Sequence, residues 1–238
     1  MSSVDLTTMA PILEALEAIP RSAERCIAQY ADGETLVDYV VSWSDWADDI
    51  AWAQTVLAAW GVSAGDFVVV ISTGHEAALY GPIIDALNSL GATVCPLEPA
   101  EFEIGRAGMF FRRFTIAAVI GLDSTLGPAL VREGLLESGL RFMLARPEAA
   151  VLAAELDVAQ GVVTALGPAL ALTCPDNGLA HVNGSAWIQS ASGRAELSSR
   201  PIRHESLSAL DVSGALDAGG RPECCSLGRS LGRLIAPS

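Results

Sequence analysis

Four short apolar runs constrain this chain more than any other feature of its sequence. The run "FVVVIS" at residues 67–72 contains three consecutive valines and shows no alternation of polar and apolar residues. That pattern is typical of a strand that is covered on both faces. The runs "ATVCPL", "IAAVIG" and "LRFMLA" at residues 92–97, 116–121 and 140–145 continue the series.

Helical segments separate these runs. The segment "HEAALYGPIIDALNSLG" at residues 75–91 joins the first two strands, and a further helix is expected to begin near Ser124. Strands that alternate with helices form a parallel sheet, because each connection crosses over one face of the sheet. We therefore predict an α/β fold in which a mostly parallel sheet lies between two layers of helices.

The chain before the first run predicts three further elements. An amphipathic helix is expected at residues 6–19, followed by a pair of strands at residues 25–30 and 35–41 around the turn "ADG". A second helix is expected to begin after Ser42, because Ser42 and Asp45 have the spacing of a capping box. Its apolar stripe is expected to pack in the core and not to bind a cofactor. The stripe consists of Trp46, Ile50, Ala53, Leu57 and Trp60.

The composition excludes several classes of partner. Hydrophobic residues make up 51% of the 238 residues, and the formal net charge is -14. So acidic a chain repels nucleic acid and anionic membranes. The five cysteines are odd in number and lack the spacing of metal ligands, as is usual for reduced thiols. We therefore expect a globular cytoplasmic protein with no nucleic-acid partner, no membrane partner and no metal site.

The segment at residues 34–99 carries a recognisable pattern that includes "GVSAGDFVVV" and "LGATVCPLEP". The matching residues are Trp43, Trp46, Gly61, Val62, Gly65, Asp66, Val68, Gly91, Ala92, Pro96, Leu97 and Pro99. Their order resembles the opening of the adenylate-forming (AMP-binding) superfamily, which contains acyl-CoA synthetases, adenylation domains of peptide synthetases and luciferases. The chain also resembles short stand-alone actinobacterial proteins that are similar only to the front part of those enzymes. The resemblance implies the front subdomain of the enzyme fold.

The stretch "WIQSASGRAELSSRPIRHESL" falls where this resemblance implies a phosphate loop that leads into a helix. Ser190, Ser192 and Gly193 occupy the first part of the family pattern, and Arg194 stands near its threonines. His204 opens the "HESL" segment that corresponds to the start of the helix. These five residues are the candidate binding residues for a nucleotide phosphate, with ATP or AMP and Mg²⁺ as the expected ligands.

Two interpretations of the loop at residues 190–203 stay open. Such a loop needs flexible backbone N–H groups and a cation. The candidates to supply them are Gly193, Arg194, Arg200 and Arg203. Leu197 and Ser198 stand where the family pattern has proline and lysine, and Glu196 repels an anion. The loop either still holds a phosphate or is an ordinary surface loop inherited from an enzyme ancestor.

The sequence contains no lysine, and it ends before the positions of the later adenylation motifs. We therefore predict no catalytic residue and a non-catalytic protein that binds a nucleotide or acyl ligand weakly and acts through protein contacts. The alternative is one half of a split adenylating ligase. A homodimer or a protein partner is expected to cover the sheet where the enzymes continue. The predicted domain spans residues 1–213, and residues 214–238 form a Gly/Ser-rich tail.

Overall fold

The computed structural model describes residues 23–136, 139–189, 196–200, 210–211, 216–217 and 229–234. The helix predicted at residues 6–19 lies outside them. The α-helices are α1 (Trp43–Ala59), α2 (Ala77–Ser89), α3 (Ile104–Arg113), α4 (Gly127–Arg132) and α5 (Ala150–Ala154). Short 3-10 turns at Gly74–Glu76, Glu101–Glu103 and Pro147–Ala149 precede α2, α3 and α5. None of the described helices is long and apolar enough to cross a bilayer.

The strands belong to three sheets. The two-stranded sheet consists of β1 (Glu24–Asp32) and β2 (Thr35–Ser42), and the three-stranded sheet of β10 (Trp187–Gln189), β11 (Glu196–Ser199) and β12 (Leu210–Asp211). The main sheet consists of β3 (Phe67–Ile71), β4 (Thr93–Leu97), β5 (Ile116–Leu122), β6 (Phe142–Ala145), β7 (Ala159–Leu166), β8 (Ala169–Thr173), β9 (Ala180–Val182), β13 (Leu216–Asp217) and β14 (Arg229–Leu234).

The main sheet confirms the predicted crossover topology. Its strand order is β13-β14-β9-β8-β7-β6-β5-β3-β4. The pairs β4/β3, β3/β5, β5/β6 and β6/β7 are parallel, whereas β7/β8 and β8/β9 are antiparallel. From β3 to β9 the sheet is therefore mostly parallel. The strands β14 and β13 extend it in antiparallel orientation beyond β9.

Both faces of this sheet are buried, as the uniform apolar runs predict. On β3, Val68 and Val70 belong to one hydrophobic cluster, which α1 and α2 cover. Val69 and Ile71 belong to a second cluster on the opposite face, to which α3, α4 and α5 contribute. The predicted three-layer α/β/α architecture is thus confirmed.

The apolar stripe of α1 packs in the core, as expected. The ring centroids of Trp60 and Phe142 lie 5.1 Å apart, with the rings tilted by 31°. The indole Nε1 of Trp60 donates a hydrogen bond to the Thr173 carbonyl at 2.8 Å. The start of the helix is fixed by a capping box between Ser42 and Asp45, which the sequence also indicates. The helix therefore joins the parallel part of the sheet to β8.

The helix predicted to begin near Ser124 begins three residues later, as α4 at Gly127. Pro128 accounts for this difference, because it has no N–H to donate to the Ser124 carbonyl. Asp123 lies just before the predicted start. Its Oδ1 accepts hydrogen bonds from the N–H groups of Thr125 and Leu126 at 2.6 and 2.9 Å. With the bond from the Gly127 N–H to the Asp123 carbonyl at 3.1 Å, these contacts cap the start of the helix close to the predicted position.

The predicted tail at residues 214–238 contributes Leu216–Asp217 and Arg229–Leu234 to the main sheet. The other residues of that segment lie outside the described part of the chain. The domain boundary after residue 213 stays a prediction.

Close packing of α1 against α2 gives a test of the fold. A β-carbon on Gly81 of α2 would overlap the indole ring of Trp46 on α1, whereas one on Gly105 of α3 would meet nothing within 4 Å. We expect Gly81→Ala to lower the free energy of unfolding by about 1–3 kcal/mol, because the two helices must separate. Gly105→Ala should raise it by about 0.5–1 kcal/mol, because alanine favours a helix. Urea unfolding measures both, and a Gly81→Ala protein as stable as the wild type would contradict this packing.

Candidate functional site

The predicted phosphate loop lies in a β-hairpin. The strands β10 and β11 pair in antiparallel orientation, with Trp187 opposite Ser199 and Gln189 opposite Leu197. Residues 190–195 connect them, so Ser190, Ser192, Gly193 and Arg194 all belong to this connection. These four residues lie outside the described part of the chain, and so does His204. Their roles in binding stay predictions.

The hairpin corrects the extent of the predicted loop, which was placed at residues 190–203. Glu196–Ser199 form a strand, so Leu197 and Ser198 are paired backbone and not loop positions. The physical reason is burial, because Leu197 is fully buried in a hydrophobic cluster with Trp187. An apolar side chain that is buried in this way holds its strand in register.

The base of the hairpin is tied to the rest of the fold through Asn183. Its carbonyl accepts hydrogen bonds from the N–H groups of Ala186 and Trp187 at 3.0 and 2.9 Å. Its side-chain Nδ2 donates to Oδ1 of Asp49 on α1 at 2.8 Å. These bonds fix where β10 begins, and hence where the loop at residues 190–195 starts.

Arg200, one of the candidate cations, lies at the wrong end of the hairpin. It follows β11, and its N–H donates to the Ala186 carbonyl at 2.8 Å, beside the base of the hairpin. A strand rises about 3.3 Å per residue, so roughly 13 Å separate Arg200 from Glu196, where β11 leaves the loop. That distance exceeds the reach of an arginine side chain. Arg194 is then the cation that the connection at residues 190–195 itself carries.

A second polar centre lies at the carboxyl end of the parallel strands. Arg146, directly after β6, forms a bidentate ion pair with Glu76, with Nη1 and Nη2 at 2.6 and 2.8 Å from the two carboxylate oxygens. The guanidinium also donates to the carbonyls of Ile71 on β3 and Gly121 on β5, at 3.3 and 3.4 Å. One side chain thus joins the ends of three strands.

Gly121 permits this arrangement. Its φ is +84°, and a β-carbon there would overlap the Ile71 carbonyl oxygen. Glycine is the residue that adopts such a conformation without steric cost. The close approach of β5 to β3 brings both carbonyls within reach of Arg146.

The charges of this centre are stabilised by their hydrogen bonds. Burial alone would raise the pKa of the Glu76 carboxyl, but hydrogen bonds from Arg146 and Thr73 hold that pKa below its ordinary value. Burial would likewise lower the pKa of the Arg146 guanidinium, yet its bonds to Glu76 raise it. Burial raises the pKa of Tyr80, over whose ring the guanidinium lies at 5.3 Å. The pair therefore stays ionised while Tyr80 stays a neutral phenol.

A cleft of about 410 Å³ opens beside this centre, at the carboxyl ends of β3 and β4. Its polar lining comprises Ser72, Thr73, Arg25, Asp85, Glu98 and Arg106. Crevices at this edge of a parallel sheet are the usual ligand sites of open α/β folds. Hydroxyl groups and charges of both signs suit a small polar ligand.

The two arginines of the cleft are held by partners within the protein. The Arg25 guanidinium lies 4.9 and 4.6 Å from the ring centroids of Trp43 and Trp46. Arg106 donates to the Pro96 carbonyl at 2.7 Å and approaches the Glu103 carboxylate at 2.9 Å. This cleft was not predicted from the sequence, because its lining residues come from segments that are far apart in the chain. The one local signal was the polar "STG" directly after β3.

Within the described ranges, no group of three or more His, Cys, Asp or Glu side chains is placed to hold a metal ion. In the part of the chain that the structure describes, Cys26, Cys95 and Cys174 form no disulfide.

Comparison with known proteins identifies the fold. A 2-hydroxyisobutyryl-CoA ligase in complex with 2-HIB-AMP and CoA superposes with a TM-score of 0.64 at 14% identity, over 97% of this chain and 56% of the ligase. The same ligase in its postadenylation state gives 0.61 at 12% identity, over 99% of this chain and 57% of the ligase. A malonyl-CoA ligase with methylmalonyl-CoA and AMP bound gives 0.51 at 14% identity, over 84% and 50%.

These comparisons define a class of fold. The chain has the fold of the front subdomain of adenylate-forming enzymes, as the sequence pattern implies. It spans a little over half the length of the 2-hydroxyisobutyryl-CoA ligase. No protein-family model and no curated protein sequence matches the chain. The similarity to the ligases thus concerns structure at low sequence identity.

The ion pair between Arg146 and Glu76 gives a second test. We expect Arg146→Met to lower the free energy of unfolding by about 3 kcal/mol, because it breaks an ion pair in which both side chains are largely buried. Arg141→Met is the matched control, since Arg141 pairs with Asp66 but its side chain is 46% exposed. That variant should lose less than about 1 kcal/mol. Equal losses in urea unfolding would contradict the role of Arg146 at the strand ends.

The lowered pKa of Glu76 predicts a pH dependence. The stability that it contributes is complete above the unfolded-state value of 4.5 and is lost as the pH falls through the lower folded-state pKa. The difference in unfolding free energy between wild type and Glu76→Gln should therefore stay constant from neutral pH to about pH 5 and shrink in more acidic solution. A difference that is independent of pH in acid would contradict the lowered pKa.

Proposed function

We propose that this chain binds the phosphate of an adenine nucleotide or acyl-adenylate through the connection between β10 and β11. The backbone N–H groups around Gly193 and the guanidinium of Arg194 hold the phosphate. Ser190 and Ser192 donate hydrogen bonds from their hydroxyl groups to its oxygens, and the imidazole of His204 is a further polar group for binding. The observation that supports this proposal is the pairing of β10 with β11, which fixes the two ends of the connection at residues 190–195.

The solved structures of similar fold support the choice of ligand. The 2-hydroxyisobutyryl-CoA ligase is bound to an acyl-adenylate, and the malonyl-CoA ligase holds AMP. A single arginine with backbone N–H groups is suited to one phosphate group, because an arginine fork binds two phosphate oxygens at a time. We therefore expect AMP or an acyl-adenylate as the ligand, and ATP with Mg²⁺ as a weaker one.

We further propose that the protein acts by binding and not as a self-contained ligase. Formation of an adenylate requires cations that stabilise the charge developing on the triphosphate. The chain has no lysine, and Glu196 begins the strand that follows the loop. A protein that acts by binding depends on a protein partner or on a second copy of itself. We place this action in the cytoplasm. The alternative is that a partner supplies the missing catalytic groups, which would make this chain one half of a split ligase.

Thermal unfolding tests the proposed ligand. A ligand present at about 100 times its dissociation constant stabilises a protein by roughly 2.7 kcal/mol, which raises the midpoint of a chain of this size by roughly 5–10 °C. We expect millimolar AMP to raise the midpoint of the wild type and to leave that of Arg194→Ala nearly unchanged. Arg200→Ala is the matched control, because Arg200 lies at the base of the hairpin. It should respond to AMP like the wild type.

Each of three results would contradict a different part of the proposal. No midpoint shift with AMP or with ATP and Mg²⁺ would mean that the loop binds no nucleotide. A shift that persists in Arg194→Ala would move the ligand away from the loop. Release of pyrophosphate from ATP by the purified chain in the presence of short carboxylic acids would show that it catalyses adenylation without a partner.

A further inference from the structure

The outward face of α3 and its preceding turn differs from the rest of this acidic protein. The residues share one side of the helix, at the spacings of three, four and seven residues that bring side chains onto one face. They are Phe102, Gly105, Arg106, Met109, Arg112 and Arg113, and they are called the α3 face below.

The orientation of α3 is set by its opposite side. Ala107 is fully buried in the second hydrophobic cluster, and Ile104, Phe110 and Phe111 pack partly against the same cluster. The helix therefore cannot rotate to hide its outward residues. Its α3 face stays directed away from the sheet.

Two apolar side chains on the α3 face are unusually exposed. Phe102 is 75% exposed and Met109 is 41% exposed. Their neighbours Arg106, Arg112 and Arg113 are exposed as well. Phe, Met and Arg are the residue types that are enriched where proteins bind one another, and arginines in particular carry much of the binding energy. The α3 face thus has the composition of a protein-binding surface.

The charge of the α3 face is opposite to that of the whole chain. Three arginines lie together here, although the formal net charge of the protein is -14. Within the described part of the chain, Arg112 and Arg113 form no ion pair. Arg106 is held in place by Glu103 and the Pro96 carbonyl, and its side chain is still 47% exposed. Because Glu103 offsets Arg106 and Glu101 is exposed in the same turn, the positive charge that complements an acidic segment lies at Arg112 and Arg113.

The same charges argue against two other occupants. A flat anionic membrane would contact the acidic remainder of the protein as well as the α3 face. The membrane and that acidic surface would repel each other. A second copy bound through the same surface by two-fold symmetry would bring the arginines of both copies together. A narrow acidic segment of another protein avoids both repulsions, because it contacts the α3 face alone.

We propose that the α3 face is a docking surface for an acidic, amphipathic segment of a partner protein. Carboxylates of that segment pair with Arg112 and Arg113, and an apolar side chain packs between Phe102 and Met109. This surface does not depend on nucleotide binding, because α3 packs near the β4 edge of the main sheet while the loop hairpin packs on the cluster that includes β7, β8 and β9.

The test uses a fluorescein-labelled amphipathic helical peptide that carries glutamates on one face and leucines on the other. Fluorescence anisotropy measures its binding to the full chain. We expect binding that weakens at least tenfold in Arg113→Glu and severalfold in Phe102→Ala, and that falls steeply as salt increases. Arg132→Glu on α4 makes the same change in charge at an exposed position outside the α3 face, so it should bind the peptide like the wild type. Circular dichroism checks that each variant is folded.

Each alternative outcome overturns the proposal. No binding of the peptide to the wild type would mean that the α3 face is an ordinary helix surface. Equal weakening in Arg113→Glu and Arg132→Glu would mean that only the overall charge matters. Sedimentation with phosphatidylserine vesicles that Arg113→Glu abolishes would assign the face to a membrane. A dimer in analytical ultracentrifugation that Arg113→Glu dissociates would assign it to a second copy.

Discussion

Burial of the parallel sheet on both faces is the constraint from which the rest of this structure follows. Every residue of β5 is buried, and alternate residues of β3 enter opposite hydrophobic clusters. Strands of this kind need a layer of helices on each side, which α1 and α2 supply on one face and α3, α4 and α5 on the other. The strands β3, β5 and β6 carry no polar side chain, and the ion pair between Glu76 and Arg146 lies at their carboxyl ends.

Much of this architecture follows from local pattern in the sequence. The apolar runs mark β3, β4, β5 and β6, and the capping box marks the start of α1. The helix α4 begins at Gly127 and not near Ser124, because Pro128 has no N–H to donate to the Ser124 carbonyl. The predicted phosphate loop is longer than the observed connection. Leu197 belongs to β11, and the burial of this strand depends on contacts with residues that are distant in the sequence.

Properties that arise from contacts between distant segments could not be predicted. The cleft at the ends of β3 and β4 brings Arg25 and Arg106 together from opposite ends of the first half of the chain. The bonds of Arg146 to Ile71 and Gly121 depend on the strand order, which local periodicity does not contain. The loop residues proposed to hold a phosphate were recognised by resemblance alone. Their chemistry is consistent with that assignment, but it is the hairpin that limits the loop to residues 190–195.

The most direct measurement of the central claim is the response of individual amide groups to AMP by nuclear magnetic resonance, in a protein with assigned backbone signals. We expect the amide signals of residues 190–195 to shift most. The signals of Ser72 and Thr73 in the cleft should not shift. Large shifts at Ser72 and Thr73 with none at residues 190–195 would contradict it. That result would place the nucleotide at the carboxyl ends of β3 and β4 and leave the hairpin loop without a ligand.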